Sequence, residues 1–432
     1  MASVLRLRRG FAWSTLSALF IQGSTFIVSV IVANLLGRTP YGEFAMVLST
    51  LLALMNVAQV ATGVITIRYV SEYRTKSKSR AGTVIGMCSI LTWIAGAVFS
   101  LALVAGAPWI ASALLNSPQL ATPIRMGSAA VFFGAINGYQ GGTLAGLESY
   151  RALAIANSIF GTMHVLIIAI STWLGELDGA LFGISASAFL RWLVFARVLR
   201  RELELQEIRV QRRGCFADRA LLWRFAFPAA VGSLTPVPAL WLANAFLAMQ
   251  PGGYLELAVF SAANNIRLIV VFLPQVLNTV VLSVLNYQLG SSDNGSYRRI
   301  FWTNIAGTAG FAGIGAAVAA LFGTTVLALY GSSFIDGYPV LLVLLLSTIV
   351  ETAAIACYQL IQSREKMWLS LFFVNIPRDS VIVGLAWALV PIWGAMGLAI
   401  AYCIAWTTAL LIIVGIAKRL GVGGIEQSRI TR

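Results

Sequence analysis

Long apolar runs separated by short polar breaks fill this chain from end to end. Twelve can be marked, at roughly residues 11–36, 42–68, 82–105, 121–146, 151–175, 178–199, 219–248, 254–286, 299–330, 336–362, 366–389 and 392–417. Each is near the length of about 20 residues that a helix needs to cross the hydrocarbon core of a bilayer. The alternating pattern of a membrane β-barrel strand is absent. Because hydrocarbon offers no partners to backbone N–H and C=O groups, helices are then the remaining way across. The expected fold is an all-α polytopic membrane protein of about twelve transmembrane helices.

Composition agrees with the pattern: 59% of the 432 residues are hydrophobic, 11% are charged, and the mean hydropathy is +0.84. Twelve spans use nearly the whole chain and leave no soluble catalytic domain, so an enzyme is not expected. The opening "MASVLRLRRG" enters a stretch longer than a signal-peptide core, without an A-x-A-like cleavage site, and reads as the first span. Cys88, Cys215, Cys357 and Cys403 form no C-x-x-C pair; neither a disulfide framework nor a zinc site is indicated, and no cofactor is expected. The sequon Asn294-Gly295-Ser296 falls in a predicted cytoplasmic loop and reads as chance.

A net charge of +14 would suit nucleic acid if the basic residues were pooled, but they alternate loop by loop. One set lies at Arg6, Arg8 and Arg9, then from Arg68 to Arg80, at Arg151, from Arg197 to Arg224, at Arg298 and Arg299, at Arg364 and Lys366, and from Lys418 to Arg432. It holds 25 of the 30 Lys and Arg. The intervening loops carry Glu43, Glu176, Asp178, Glu256 and Asp336, with only Arg38 and Arg125 as basic residues. The positive-inside rule then puts both termini in the cytoplasm and excludes a nucleic-acid partner. Arg191, Arg267 and Arg378 are the basic residues left within spans.

The second span echoes the eighth: in "ANLLGRTPYGEFAMVLS" (33–49) and "ANAFLAMQPGGYLELAVFS" (243–261), Tyr41, Glu43 and Ala45 correspond to Tyr254, Glu256 and Ala258. A second echo joins "YQGGTLAGLESYRALAIANSI" (139–159) to "YQLIQSREKMWLSLFFVNI" (358–376). Six spans per copy give both halves the same orientation, a parallel internal repeat. The expected lobes are residues 1–205 and 206–432, joined by a polar cytoplasmic linker at 200–219, either an amphipathic helix on anionic lipid or a solvated tether. Gly134, Gly138, Gly142 and Gly146 form a ladder on one face of span four, suited to close helix packing. Pro228, Pro236 and Pro238 should kink or break span seven.

The stretches "ANLLGRTPYGEFAMVLS" and "GTLAGLESYRALAIANSI" resemble the polysaccharide flippases, the Wzx-type oligosaccharide exporters of bacteria. These belong to the superfamily that also holds multidrug and toxin extruders and the lipid II flippase. The resemblance is clearest over residues 11–160. It implies a V-shaped pair of six-helix lobes around a central, often cationic cavity in the bacterial cytoplasmic (inner) membrane. The implied substrate is an oligosaccharide on a polyprenyl diphosphate carrier, moved to the outer leaflet by alternating access. Implied partners are that lipid-linked oligosaccharide, membrane lipids and other polysaccharide assembly proteins.

An ionisable group at mid-membrane costs about 2.5–3.5 kcal/mol on insertion scales, so it should face a cavity or a partner. Arg191, nine residues from the cytoplasmic end of span six, is expected to snorkel. Arg267, beside Asn264 and Asn265, is too deep for that and is expected to face the cavity. Arg378 is as deep, next to Pro377 and Asp379, with Asn375 and Ser380 nearby. Sequence neighbours on a helix point about 100° apart, so Arg378 and Asp379 need not neutralise each other. Pro377 should leave a carbonyl one turn earlier without its donor. A guanidinium fork matches phosphate oxygens, so Arg267 and Arg378 are the expected diphosphate ligands; the rival is a structural link to Asp379 or Glu351. Glu351 and His164 are candidates for a coupling proton, and coupling to sodium is an equal option. Gln22, Asn56 and Gln59 are candidate polar lining, or helix-to-helix hydrogen bonds. The rival functions are a cation-exporting drug or toxin extruder, which should line its cavity with carboxylates, and a membrane glycosyltransferase, disfavoured by the lack of a long outer loop.

Overall fold

A computed structural model describes residues 2–59, 61–212, 214–215, 236–291, 294–363 and 367–419. Pro228 and the basic residues Arg213, Arg219, Arg224, Arg364, Lys366, Arg429 and Arg432 lie outside the described residues. The main helices are α1 (Ala2–Leu36), α2 (Arg38–Ala58), α3 (Thr62–Lys76), α4 (Lys78–Trp109), α5 (Ala121–Gly146), α6 (Tyr150–Leu205), α7 (Pro236–Ala248), α8 (Gly253–Ser291), α9 (Asn294–Leu321), α10 (Tyr338–Ser363) and α11 (Ile376–Arg419). Among the described residues there is no strand.

Eight helical segments among the described residues are long and apolar enough to cross a membrane. Two are too long for one crossing: 56 residues at Tyr150–Leu205 and 50 at Trp368–Ala417 would reach roughly 75–85 Å if straight. Both reverse direction instead. In α6 the backbone leaves helical geometry at Gly175 (φ −138°, ψ 20°) and Glu176 (φ 48°, ψ −129°). In α11 it does so at Gly394 (φ 52°, ψ −130°). Three residues after each positive-φ residue a glycine meets the returning arm: a Cβ on Gly179 would overlap the Ser171 carbonyl, and one on Gly397 the Leu389 carbonyl. The two hairpins thus share one local construction. With each hairpin counted as two crossings, α5 and the described end α7 of a further segment bring the described residues to twelve.

The chain forms two compact units, Met1–Ala258 and Val259–Arg432. In the first, the glycine ladder packs α5 against α2 and α3. A Cβ on Gly138 would come within 2.6 Å of the Gln59 side chain, and one on Gly146 within 2.7 Å of the Thr66 carbonyl. The expected span at 42–68 is broken between α2 and α3, where Ala61 takes a left-handed φ of 52°. Pro236 and Pro238 lie at the edge of the described part of this span, in α7, and Pro228 falls outside it. Trp241 Nε1 donates to Thr50 Oγ1 at 2.8 Å, tying α7 to α2.

Over its described part the linker is fixed by its backbone while Arg209, Val210, Gln211 and Arg212 keep exposed side chains. Helix α6 runs on to Leu205, and residues 208–212 then lie as an extended strap across the start of α4. Gly82 and Gly86 make room for it: a Cβ on either would overlap the carbonyl of Arg209 or Gln211. Gln211 N donates to the Gly82 carbonyl at 3.1 Å and its Nε2 to Ser79 Oγ at 3.1 Å, while Thr83 Oγ1 donates to Gln211 Oε1 at 3.2 Å. Lys78 Nζ meets Glu207 Oε2 at 2.7 Å, and that hydrogen bond, then the ammonium charge, hold the Glu207 carboxyl below its ordinary pKa.

In the second unit α10 packs on α11 and α9 around Ala354, Cys357, Ile361, Val374, Ala409 and Ile413. The stretch around Pro377 is not unwound. A short helix at Met367–Ser370 is followed by a π-helical turn at Leu371–Asn375, in which Ile376 N bonds the Leu371 carbonyl. Pro377 therefore directly follows a π-helical turn inside the continuous segment Trp368–Ala417, and this local widening of the helix accommodates its missing N–H.

Candidate functional site

The second unit gathers four charged side chains inside its helices. Arg267, on α8, is 4% exposed and Glu351, on α10, 5%; Arg267 Nη1 donates to Glu351 Oε2 in a close ion pair. Arg267 Nε donates to Asn264 Oδ1 at 2.9 Å, one turn back on the same helix, and its guanidinium lies 4.7 Å from the Tyr402 ring centroid. Arg378, on α11, gives Nε and Nη2 to the same oxygen, Asp379 Oδ1, at 2.8 and 2.7 Å. Its Cζ stands 4.7 Å from the Trp406 ring centroid.

The expectation that helix neighbours would point apart is corrected here: the long arginine stem folds back along α11 and closes the gap. Asp379 Oδ2 is buried without a partner, and Arg378 is also within electrostatic reach of Glu351. Two cations and two anions make the cluster formally neutral. It therefore offers no standing charge to a ligand, and an anion reaching either arginine must first displace a carboxylate. Asn264 is already engaged, Asn265 and Asn375 are half-buried, and Ser380 is exposed.

Tyr402 and Trp406 were not singled out from the sequence. The reversal of α11 at Gly394 returns the chain past Arg378 and brings Trp406 over its guanidinium, and the same returning arm carries Tyr402 to Arg267 on α8. A tight turn recognised at Gly394 would have pointed to Trp406.

The first unit holds a different arrangement. In α6, His164 and Ser187, equidistant from the turn at 175–176, meet with Nδ1 and Oγ 2.9 Å apart. One turn further from the reversal, the Arg191 guanidinium lies between two aromatic faces, 4.9 Å from the Phe160 centroid and 5.0 Å from that of Phe195. Its Nε is buried without an acceptor, and no carboxylate among the described residues pairs with it. The expected snorkelling is corrected: the side chain turns into the α6 hairpin and is held there by cation–π contact. His164 is within electrostatic reach of it.

Three further candidates were expected as polar lining in this unit. Gln22 is half-buried, Asn56 is exposed and bonds its own helix at the Leu52 carbonyl (2.8 Å), and Gln59 lies against Gly138.

Solved structures with the same fold include transporters. A multidrug resistance MATE family transporter of the MOP superfamily, in an inward-facing conformation, superposes with a TM-score of 0.77 at 18% identity, covering 94% of this chain and 98% of its own. A multidrug resistance MATE family transporter of the MOP superfamily in an outward-facing conformation gives 0.70 at 19% identity, with 96% of each chain covered. A MOP superfamily transporter from Pyrococcus furiosus, described as having a binding pocket of reverse polarity, gives 0.70 at 18% identity over 96% of this chain and 95% of that one. At such identities the likeness concerns the fold. No curated protein matches the sequence. The profile of the family described as polysaccharide biosynthesis protein matches residues 7–285, more than half of the chain. This multi-pass membrane protein, with the fold of MOP superfamily transporters, therefore belongs to the polysaccharide biosynthesis protein family.

Proposed function

We propose that the protein is a flippase that moves a polyprenyl-diphosphate-linked oligosaccharide from the cytoplasmic to the outer leaflet of a bacterial inner membrane, by alternating access and without catalysis. The observation that carries this reading is the sign of the uncommitted charge inside the spans. Both buried carboxylates within the helices of the second unit, Glu351 and Asp379, are already bonded to arginines, whereas Arg191 in the first unit has no carboxylate partner among the described residues. A protein that carries organic cations needs a free anion in the membrane. One that carries a diphosphate needs a free cation, and a guanidinium fork suits phosphate oxygens.

Arg191 is accordingly our first assignment for the diphosphate. Arg267 and Arg378, with Asn264, Asn265 and Asn375, join it only where phosphate takes the place of Glu351 and Asp379. His164, joined to Ser187 beside Arg191, is the coupling group we favour over Glu351. The shared construction of the two hairpins supports a division into six-helix halves, and the loop-by-loop alternation of basic residues supports termini in the cytoplasm.

The test is deletion of the gene in its host, followed by mass spectrometry of extracted lipids. A polyprenyl diphosphate oligosaccharide should accumulate, and the wild-type gene but not Arg191→Gln should reverse it at equal folded yield. An unchanged lipid pool together with new sensitivity to cationic drugs would overturn the flippase reading in favour of a drug extruder. Full complementation by Arg191→Gln would remove Arg191 from it.

A further inference from the structure

The strap that follows α6 does more than join two halves of the chain. It forms one wall of a cavity of about 780 Å³ at the end of the first unit that carries its basic loops. That volume lies within the range of about 300–1,000 Å³ typical of small-molecule sites. The walls are the beginning of α4, the end of α5, the last two turns of α6 and strap residues 208–212.

The lining is graded. Leu199, Leu203 and Ile208 supply a buried apolar wall. Within it stand Ser89 and Gln140, each 2% exposed, and Tyr139. Gln140 Oε1 is buried with no hydrogen-bond donor, a condition that costs free energy unless something supplies one. At the rim are Arg200 and Arg212, both exposed, with Glu204 the single acid. Neither arginine has an ion-pair partner among the described residues.

A site with a net positive rim, an apolar wall and an unfilled acceptor inside selects a particular chemistry. Phosphate belongs at the two guanidinium groups and a hydroxyl donor at Gln140 Oε1. A bare phosphate leaves the acceptor unmet, and a zwitterionic choline head group brings no hydroxyl. We propose that this cavity binds a phosphate ester whose organic part carries hydroxyl groups, drawn from the head group of a membrane lipid, with the strap as one wall of the site. The site is separate from the arginines within the spans and stands whether or not the protein is a flippase.

The probe is the purified full-length protein in nanodiscs that contain phosphatidylglycerol, phosphatidic acid or phosphatidylcholine, with retained lipid counted by native mass spectrometry. Free glycerol 3-phosphate is added in a separate arm. Phosphatidylglycerol should be retained over the other two, by about tenfold over phosphatidylcholine, the scale expected for charge-assisted hydrogen bonds. Gln140→Leu should reduce it to the level of phosphatidic acid, and Arg200→Gln with Arg212→Gln should abolish the preference for either acidic lipid. Gly86→Ala removes no lining group but pushes the strap off α4, and it should weaken retention as well. Thermal melting of each variant shows that it is folded. Equal retention of free glycerol 3-phosphate supports the same chemistry supplied from water. Equal phosphatidylglycerol retention by wild type and the folded Gln140→Leu and double-arginine variants overturns the proposal.

Discussion

Removing Arg267 should cost far more than removing Arg267 and Glu351 together. Both side chains are about 95% buried. With Arg267→Met, Glu351 is left as a buried anion whose remaining cation, Arg378, is already bonded to Asp379. Breaking a buried pair from one side costs about 3–5 kcal/mol, and this variant belongs at the upper end. With Glu351→Leu, Arg267 keeps the Asn264 amide and the Tyr402 ring. A desolvated cation–π contact is worth about 2 kcal/mol, so this loss belongs at the lower end. The pair Arg267→Met with Glu351→Leu leaves no orphaned charge and should fall within about 1 kcal/mol of wild type. The double-mutant cycle should then show a coupling of roughly 3 kcal/mol or more. Reversible unfolding in mixed dodecylmaltoside and SDS micelles, followed by far-ultraviolet circular dichroism, measures all four proteins. Single variants that lose under about 1 kcal/mol, or losses that simply add, would refute the reading of a committed pair. If Arg267→Met kept its stability but lost transport, the arginine would belong to the ligand and not to Glu351.

Glu176 holds a backbone geometry (φ 48°, ψ −129°) that favours glycine, at an exposed turn. Glu176→Gly should raise stability by about 1 kcal/mol in the same assay. Gly142→Ala places a Cβ on the Gly63 carbonyl and should cost about 1–3 kcal/mol, whereas Gly175→Ala, with open space around it, should cost less. Because Lys78 depresses the Glu207 pKa, the stabilisation of the strap by this pair is present above the unfolded carboxylate value. It is lost as pH falls through the lowered folded value. Hydrogen-exchange protection at 208–212, taken relative to the intrinsic rate at each pH, should therefore fall in acid, and more so in wild type than in Lys78→Met; an equal fall in both would exclude the pair as the cause.

Hydropathy along the chain was sufficient to determine the all-helical membrane fold and its division into about twelve crossings. Burial in hydrocarbon leaves the backbone one solution, and twenty apolar residues have one length. The glycine ladder was legible for a similar reason, since four-residue spacing puts small residues on one face whatever they meet. The Wzx-type likeness was legible in the echoing stretches near the N-terminus, and the family match covers that region.

Which in-membrane charges are committed was settled only by the tertiary structure. Arg191, Arg267 and Arg378 each stand within an apolar run, and although sequence separates them by depth and by neighbours such as Asp379, it does not show what each one meets. Their difference depends on what a hairpin turn brings opposite. The turn at Glu176 lays Phe160 against Arg191, the turn at Gly394 brings Trp406 to Arg378, and Glu351 reaches Arg267 from 84 residues away. Electrostatic pairing falls off over a few ångströms, and periodicity within one helix carries no information about which other helix supplies the partner. The strap was hidden for a related reason. Its charged composition reads as solvated, and only the backbone packing on Gly82 and Gly86 turns it into the wall of a site.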